Sequence, residues 1–233
     1  LGPASLGAFF DALMQHCGFY LSYPVVFVPV DGAMARRQMP CDDFLIDVVP
    51  LSHRVPSYAY IFTEKNIPSS LNTARLLAEG IQPGVVWGQL QQGQDVTVAG
   101  RKLHSRDYVL PPRRPRKIIV AGDNDTPACL HAHMQGVDVL VHEATYTADI
   151  AAKVGRETGH SHAGLVAQFA SEVNLPNLVL THFSPRYTES DTSPCLADIA
   201  KEAREVYTGQ LFLADDFAQY QLSTHGVLQP QQD

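Results

Sequence analysis

Lys117-Ile118-Ile119-Val120-Ala121-Gly122-Asp123 decides the fold class. A short apolar run closed by an acid reads as a buried strand with its chemistry at the carboxyl end. Thr126-Pro127 follows as an N-cap with proline at the first helical position, and Gly136 closes that predicted helix. Val137 to His142 is the next predicted strand. Ser161 is expected to cap a helix whose apolar positions Leu165, Val166, Phe169, Ala170 and Val173 recur at helical spacing. Asn177 to His182 is a third strand. Ser193-Pro194 opens a helix with Leu196, Ile199, Ala200 and Ala203 on one face, and Leu211 to Ala214 is a fourth strand. This alternation predicts an α/β layered fold. Upstream, Ser5 to Cys17 reads as a helix stopped by Gly18, and Phe44 to Ser52 as a strand ending in His53.

The chain has 233 residues, of which 45% are hydrophobic and 18% charged. That excludes a disordered polymer and is enough to bury a core without staples. The net charge of −7 excludes a uniformly basic nucleic-acid coat but not a local basic patch. Cys17, Cys41, Cys129 and Cys195 form no CxxC, which excludes a zinc ribbon and favours a reducing compartment, hence a cytoplasmic location. No apolar run reaches ~18 residues, so no membrane-spanning segment is expected. The chain opens on Leu1-Gly2-Pro3 without a visible signal peptide.

Residues 61–117 differ from the rest. They hold nine Lys/Arg against four Asp/Glu, a net of +5, which leaves −12 for the remainder. Gly84, Gly88, Gly93 and Gly100 are spread through this span, and Pro111 to Pro115 is a proline-arginine cluster. The span reads as an inserted, partly mobile arm with its own electrostatics. An incidental solvated loop is the alternative reading.

The informative pattern is where polar residues fall. Four apolar runs end in metal-capable residues: His53, Asp123, His142-Glu143 and His182. In layered α/β folds the ligand crevice lies at the strand ends, where side chains from separate strands converge. Imidazole nitrogen and carboxylate oxygen suit zinc and its neighbours. His160, in Gly159-His160-Ser161-His162, is a plausible general acid or, on local sequence alone, a surface cap. His131 and His133 lie two apart on a predicted helix and do not share a face. Asp215-Asp216 after a strand reads as a solvated turn, and Cys129 and Cys195 as small packing residues.

Asp47-Val48-Val49-Pro50-Leu51-Ser52-His53, Gly122-Asp123, His142-Glu143-Ala144-Thr145-Tyr146, Gly159-His160-Ser161 and Leu180-Thr181-His182-Phe183-Ser184-Pro185-Arg186-Tyr187 occur in this order. In that respect the chain resembles ribonuclease Z, the transfer-RNA 3′-processing branch of the metallo-β-lactamase superfamily, over nearly its whole length. Gly122-Asp123-Asn124-Asp125 departs from that family's commoner Gly-Asp-Thr. The resemblance implies an αββα sandwich made by residues 1–233, lacking its first strands, with 61–117 as the family's inserted arm. It implies a zinc-dependent phosphodiester hydrolase that processes the 3′ end of precursor transfer RNA, as a homodimer. Within it, His53 corresponds to a ligand of the first of two zinc ions, Asp123 to the bridging carboxylate and His182 to a ligand of the second. Glu143 and His160 correspond to the pair that handles the leaving-group proton, Arg186 to the arginine on a substrate phosphate, and His142 to supporting structure. The family's HxHxDH segment, which supplies four further ligands, precedes the position of Gly2-Pro3 and is expected upstream of Leu1. A hydrolase of small phosphodiesters or esters on the same fold, or an inactive binding homologue, is the alternative.

Overall fold

Ile119 pairs with Leu140, Leu140 with Leu178 and Leu178 with Leu211, so one row of large aliphatic side chains crosses four parallel strands. These strands belong to a seven-stranded sheet. In chain order the strands are β1 (Met39–Pro40), β2 (Phe44–Pro50), β3 (Tyr58–Glu64), β4 (Lys117–Ala121), β5 (Val139–Glu143), β6 (Asn177–Thr181) and β7 (Gln210–Leu213). Their spatial order is β7-β6-β5-β4-β3-β2-β1. The strands β4 to β7 are mutually parallel, and β3 runs antiparallel to β4. This computed structural model describes residues 1–18, 20–30, 38–188 and 192–231. They divide into two compact units, Leu1–Thr63 with Arg116–Asp233, and Glu64–Pro115.

The aliphatic row belongs to the main core, where the helices Ala163–Glu172 and Leu196–Arg204 lay Val166, Ala167, Phe169, Ile199 and Ala203 against it. Parallel strands need such covering crossovers. The other face of the sheet is also apolar. Val139 and Val179 pack there against Leu228, from the antiparallel pair Tyr220–Leu222 and Leu228–Pro230. Val120 remains 38% exposed. The helix Ala4–Cys17 ends at Gly18 with φ +65°, as its sequence predicts, yet it buries no residue.

Several local expectations change. The helix after Thr126-Pro127 is a 3-10 segment, Pro127–His133. Ser161 caps nothing: His162 takes the N-cap position instead, because Ser161 is held elsewhere. Cys195, read as a residue inside a helix, is instead the N-cap of Leu196–Arg204. Strands also end earlier than their apolar runs, so Asp123, His182 and His53 stand in the loops just past β4, β6 and β2. Among the described residues, no helix is long and apolar enough to cross a membrane.

The Glu64–Pro115 unit has its own core of Leu76, Ile81, Leu90, Leu103 and Tyr108, with Trp87 packed against it. It contains helices Thr73–Ala78 and Val85–Gln91 and a hairpin pairing Val96–Val98 with Arg101–Leu103. Its cations are largely matched. Glu79 meets both Arg75 and Arg101, Asp95 meets Lys102 and His104, and Arg113 makes a two-pronged ion pair with Glu64 at 2.6 Å on each arm. The surplus of positive charge is thus less available than composition implies, and Arg106, 84% exposed, is the most open of these side chains.

Leu140 is fully buried in the centre of the aliphatic row. Leu140→Ala should lower the unfolding free energy by about 2–5 kcal/mol, the usual cost of a large-to-small core change. Urea titration measures it, and a loss under about 1 kcal/mol would contradict this packing.

Candidate metal centre

Two histidines turn their lone pairs on one carboxylate. Past β2, His53 places Nδ1 2.8 Å from the Gly159 carbonyl oxygen. A carbonyl only accepts, so the His53 proton sits on Nδ1 and Nε2 carries a lone pair. That Nε2 lies 3.6 Å from Asp123 Oδ2. Past β6, His182 places Nδ1 2.9 Å from Thr145 Oγ1, whose own proton is given to Glu143 Oε2 at 2.6 Å. His182 Nδ1 is therefore the donor, and its Nε2 lone pair lies 3.5 Å from Asp123 Oδ1. One imidazole acceptor facing each of Asp123's oxygens at such a distance leaves room for a cation and gives no direct hydrogen bond. Neutral imidazole and carboxylate are donors that a zinc-like ion accepts, so the residues present fit a metal.

The backbone enforces this aim. His182 has φ +58°, a left-handed conformation uncommon outside glycine and accessible to histidine. Gly159 has φ +71°, and a Cβ there would come within 2.9 Å of His53 Nδ1. Only glycine brings this carbonyl to the imidazole.

Glu143 organises the centre. It is 1% exposed. Oε1 accepts from the Asn124 amide, the Ser161 amide and His160 Nδ1, and Oε2 from the Thr145 amide and hydroxyl. All five partners are donors. His160 is thereby fixed with Nδ1–H toward Glu143 and its other nitrogen available. Its ring lies between those of His53 and His182, 5.1 and 5.2 Å away between centroids. His53, Asp123 and His160 each place a ligand-capable atom within 4.8 Å of the others, as do Glu143, His160 and His182. Arg186 sits at the rim, its guanidinium 5.4 Å from the Tyr146 ring centre, and Tyr146 meets His160 edge-on. The six residues singled out in the sequence thus lie in one neighbourhood.

His142 does not join them. It is fully buried, donates from Nδ1 to the Glu143 carbonyl and accepts at Nε2 from Asn124 Nδ2. Burial lowers its pKa and keeps it neutral. Asn124, Thr145 and Ser161 were missed as site residues. Asn124 is fully buried, and its Oδ1 also accepts from the Ser52 amide beside His53. Ser161 Oγ donates to the Asn124 carbonyl. The one signal for Asn124 was its departure from the family's threonine.

Glu202 ties the surroundings together. Its carboxylate accepts from the Ala148 amide at 2.8 Å and the Gly164 amide at 2.6 Å, and meets His162 Nδ1 at 3.0 Å. These helix starts flank the His160 loop. Burial opposes ionisation of Glu202, but the histidine and two amides outweigh it, and its pKa falls below the ordinary value.

The chain is 48% identical over 225 residues to the ribonuclease Z of Marinobacter nauticus, covering 95% of this chain and 69% of that protein. It is 48% identical over 188 residues to the ribonuclease Z of Pseudomonas putida strain W619, covering 80% and 59%. The chain thus spans roughly three-fifths to seven-tenths of these relatives' length. No protein-family model matches it. Among solved structures, the metallo-beta-lactamase fold protein YhfI from Bacillus subtilis superposes with a TM-score of 0.53 at 13% identity, over 97% of this chain and 68% of that one. This likeness shows the fold.

Two outcomes test the supports. Asn124→Ala strands the buried His142 lone pair, and should cost about 1–3 kcal/mol for that unpaired group. Unchanged stability in urea would refute the network. Glu202→Gln should be less stable than the parent at neutral pH. A depressed carboxyl stabilises fully above its unfolded pKa, near 4.5, and the advantage fades as pH falls through the folded value. A gap between the two proteins that stays constant down to pH 3 would refute this linkage.

Proposed function

Because the chain belongs to the ribonuclease Z family, we propose that the protein it forms is a zinc-dependent phosphodiester hydrolase that processes the 3′ end of precursor transfer RNA. The observation that carries this reading is the pair of imidazole lone pairs aimed at the two oxygens of Asp123. His53, Asp123 and His182 would hold the metal. When bound, such ions supply Lewis-acid polarisation of the phosphoryl oxygens and a nucleophile at neutral pH.

The chain's own residues do the rest. Glu143 holds His160 by Nδ1, so the opposite nitrogen can carry a proton to the departing oxygen. Arg186, stacked on Tyr146, offers a planar fork for a phosphate oxygen pair. The Glu64–Pro115 unit is the proposed RNA-gripping arm, through the cations that stand open on its surface.

His160→Ala in the full-length protein should depress turnover about 10²–10⁴-fold, the range of a general acid, with bound zinc retained. A substrate with a good leaving group should lose far less. Loss of zinc together with activity would make His160 a ligand and overturn its proton role. Asp123→Ala should abolish both activity and metal content, and wild-type values for either would reject the metal assignment.

The arm has a separate test. Arg113 is locked to Glu64 and Arg116 donates to the Leu222 carbonyl at 2.6 Å, so neutralising them would disturb structure. Arg101, Lys102 and Arg106 have 59%, 62% and 84% exposed side chains. Replacing Lys102 and Arg106 by glutamine, which leaves the Arg101–Glu79 pair intact, should weaken transfer-RNA binding and flatten its dependence on salt, because each phosphate contact releases counterions. Equal affinity with parallel salt slopes would reject the arm as an RNA-binding element.

A further inference from the structure

A cavity of about 510 Å3 opens beside His160 and is used by nothing above. Its volume lies within the ~300–1,000 Å3 span of small-ligand sites. Ala148, Ala151, Ala152 and Gly155 contribute to its lining, with Leu165 adding aliphatic surface. These small residues leave flat apolar ground. Asp125, Thr126, Thr158 and His162 add acceptors and donors, and Arg156 adds a cation. Among the described residues the Arg156 guanidinium makes no hydrogen bond or ion pair, whereas Arg75, Arg101 and Arg113 are all matched by acids.

The chemistry of the lining selects its occupant. A bare anion would meet the Asp125 carboxylate, and a bare cation would meet Arg156. Small apolar residues and polar groups that both donate and accept suit a neutral heterocycle. An unmatched guanidinium nearby suits the phosphate attached to it, or stacks on the ring face. A base linked through ribose to phosphate has these features together.

Position narrows it further. His160 both lines this cavity and is held by Glu143 in the metal centre. On the reading given above, His160 protonates the departing oxygen. We infer that the cavity receives the nucleoside that carries that departing oxygen, so that one side chain touches both the leaving atom and the base behind it. The inference rests on the proposed function, and it adds a subsite that positions one particular nucleotide of the RNA. Stacking and hydrogen bonds to that base would align the departing oxygen with His160 before the bond breaks.

The experiment uses the intact, metal-loaded protein and precursor transfer RNAs. Product-end analysis first identifies which nucleoside bears the departing oxygen. Ala152 is exposed, so Ala152→Phe fills the cavity without disturbing the core. It should raise KM on natural precursor about tenfold or more, the scale of one lost base-stacking contact, with a smaller effect on kcat. An abasic ribose at the departing-oxygen position should cost the parent protein a similar factor, and there parent and variant should coincide. An abasic ribose across the scissile phosphate should leave the variant's defect intact. Arg156→Ala, which cannot be dismissed as overfilling, should raise KM on natural precursor as well.

Equal KM for parent and both variants on natural precursor would overturn the inference while leaving the proposed function standing. So would a defect that persists undiminished on the abasic departing nucleoside. Convergence on the other abasic RNA instead would assign the cavity to the opposite nucleoside and also overturn it. Failure of the parent protein to cleave any precursor at its 3′ end would remove the proposed function and the subsite with it.

Discussion

A carboxylate taken out of water is tolerable only when donors replace the water. Glu143 meets that demand with five, drawn from the loops after β4 and β5 and from the loop before the Ala163–Glu172 helix. Each donor doubles as a positioning device. The Asn124 amide fixes the residue that follows Asp123, the Thr145 hydroxyl passes its order on to His182, and His160 is held directly. Removing the charge would leave these donors in three loops without their shared acceptor, although Ser161 Oγ would still tie its loop to the Asn124 carbonyl.

The orientation of the imidazoles follows from this wiring. A histidine bound at Nδ1 by a pure acceptor has one remaining choice, an Nε2 lone pair. His53 is settled by a backbone carbonyl that reaches it only because residue 159 lacks a side chain. His182 is settled at one remove, through a threonine whose proton is already committed to Glu143. The outer contacts thus decide what the inner nitrogens can do. The same logic distinguishes His142, whose two nitrogens are both spent below the centre.

Charge in the Glu64–Pro115 unit teaches the opposite lesson about composition. A net positive count describes formal charges and not their availability. Glu79, Asp95 and Glu64 each hold one or more of the unit's basic side chains, and Arg113 is better described as a clasp than as a ligand for RNA. The field that an RNA would meet comes from the side chains that extend past these pairs.

The sequence by itself determined the alternation of strands and helices and the residue types at the strand ends. Period and punctuation are local properties, so Lys117–Asp123 and Val137–Glu143 could be read without knowing their neighbours. Likewise Gly18 could be read as the stop of its helix. Ser161 was misread for the same reason: serine before an apolar run is a good cap locally, but here its hydroxyl and amide serve the Asn124 carbonyl and Glu143, so His162 caps instead. Asn124 and Thr145 carried no signal of period or punctuation, since an asparagine after a Gly-Asp turn looks like any loop residue, and only its departure from the family's threonine marked Asn124. Only the tertiary structure decided their roles, the pairing of the arm's charges and the cavity beside His160. The decisive contacts, such as Arg113 with Glu64 and His182 with Thr145, join residues tens of positions apart, and no short window of sequence contains that information.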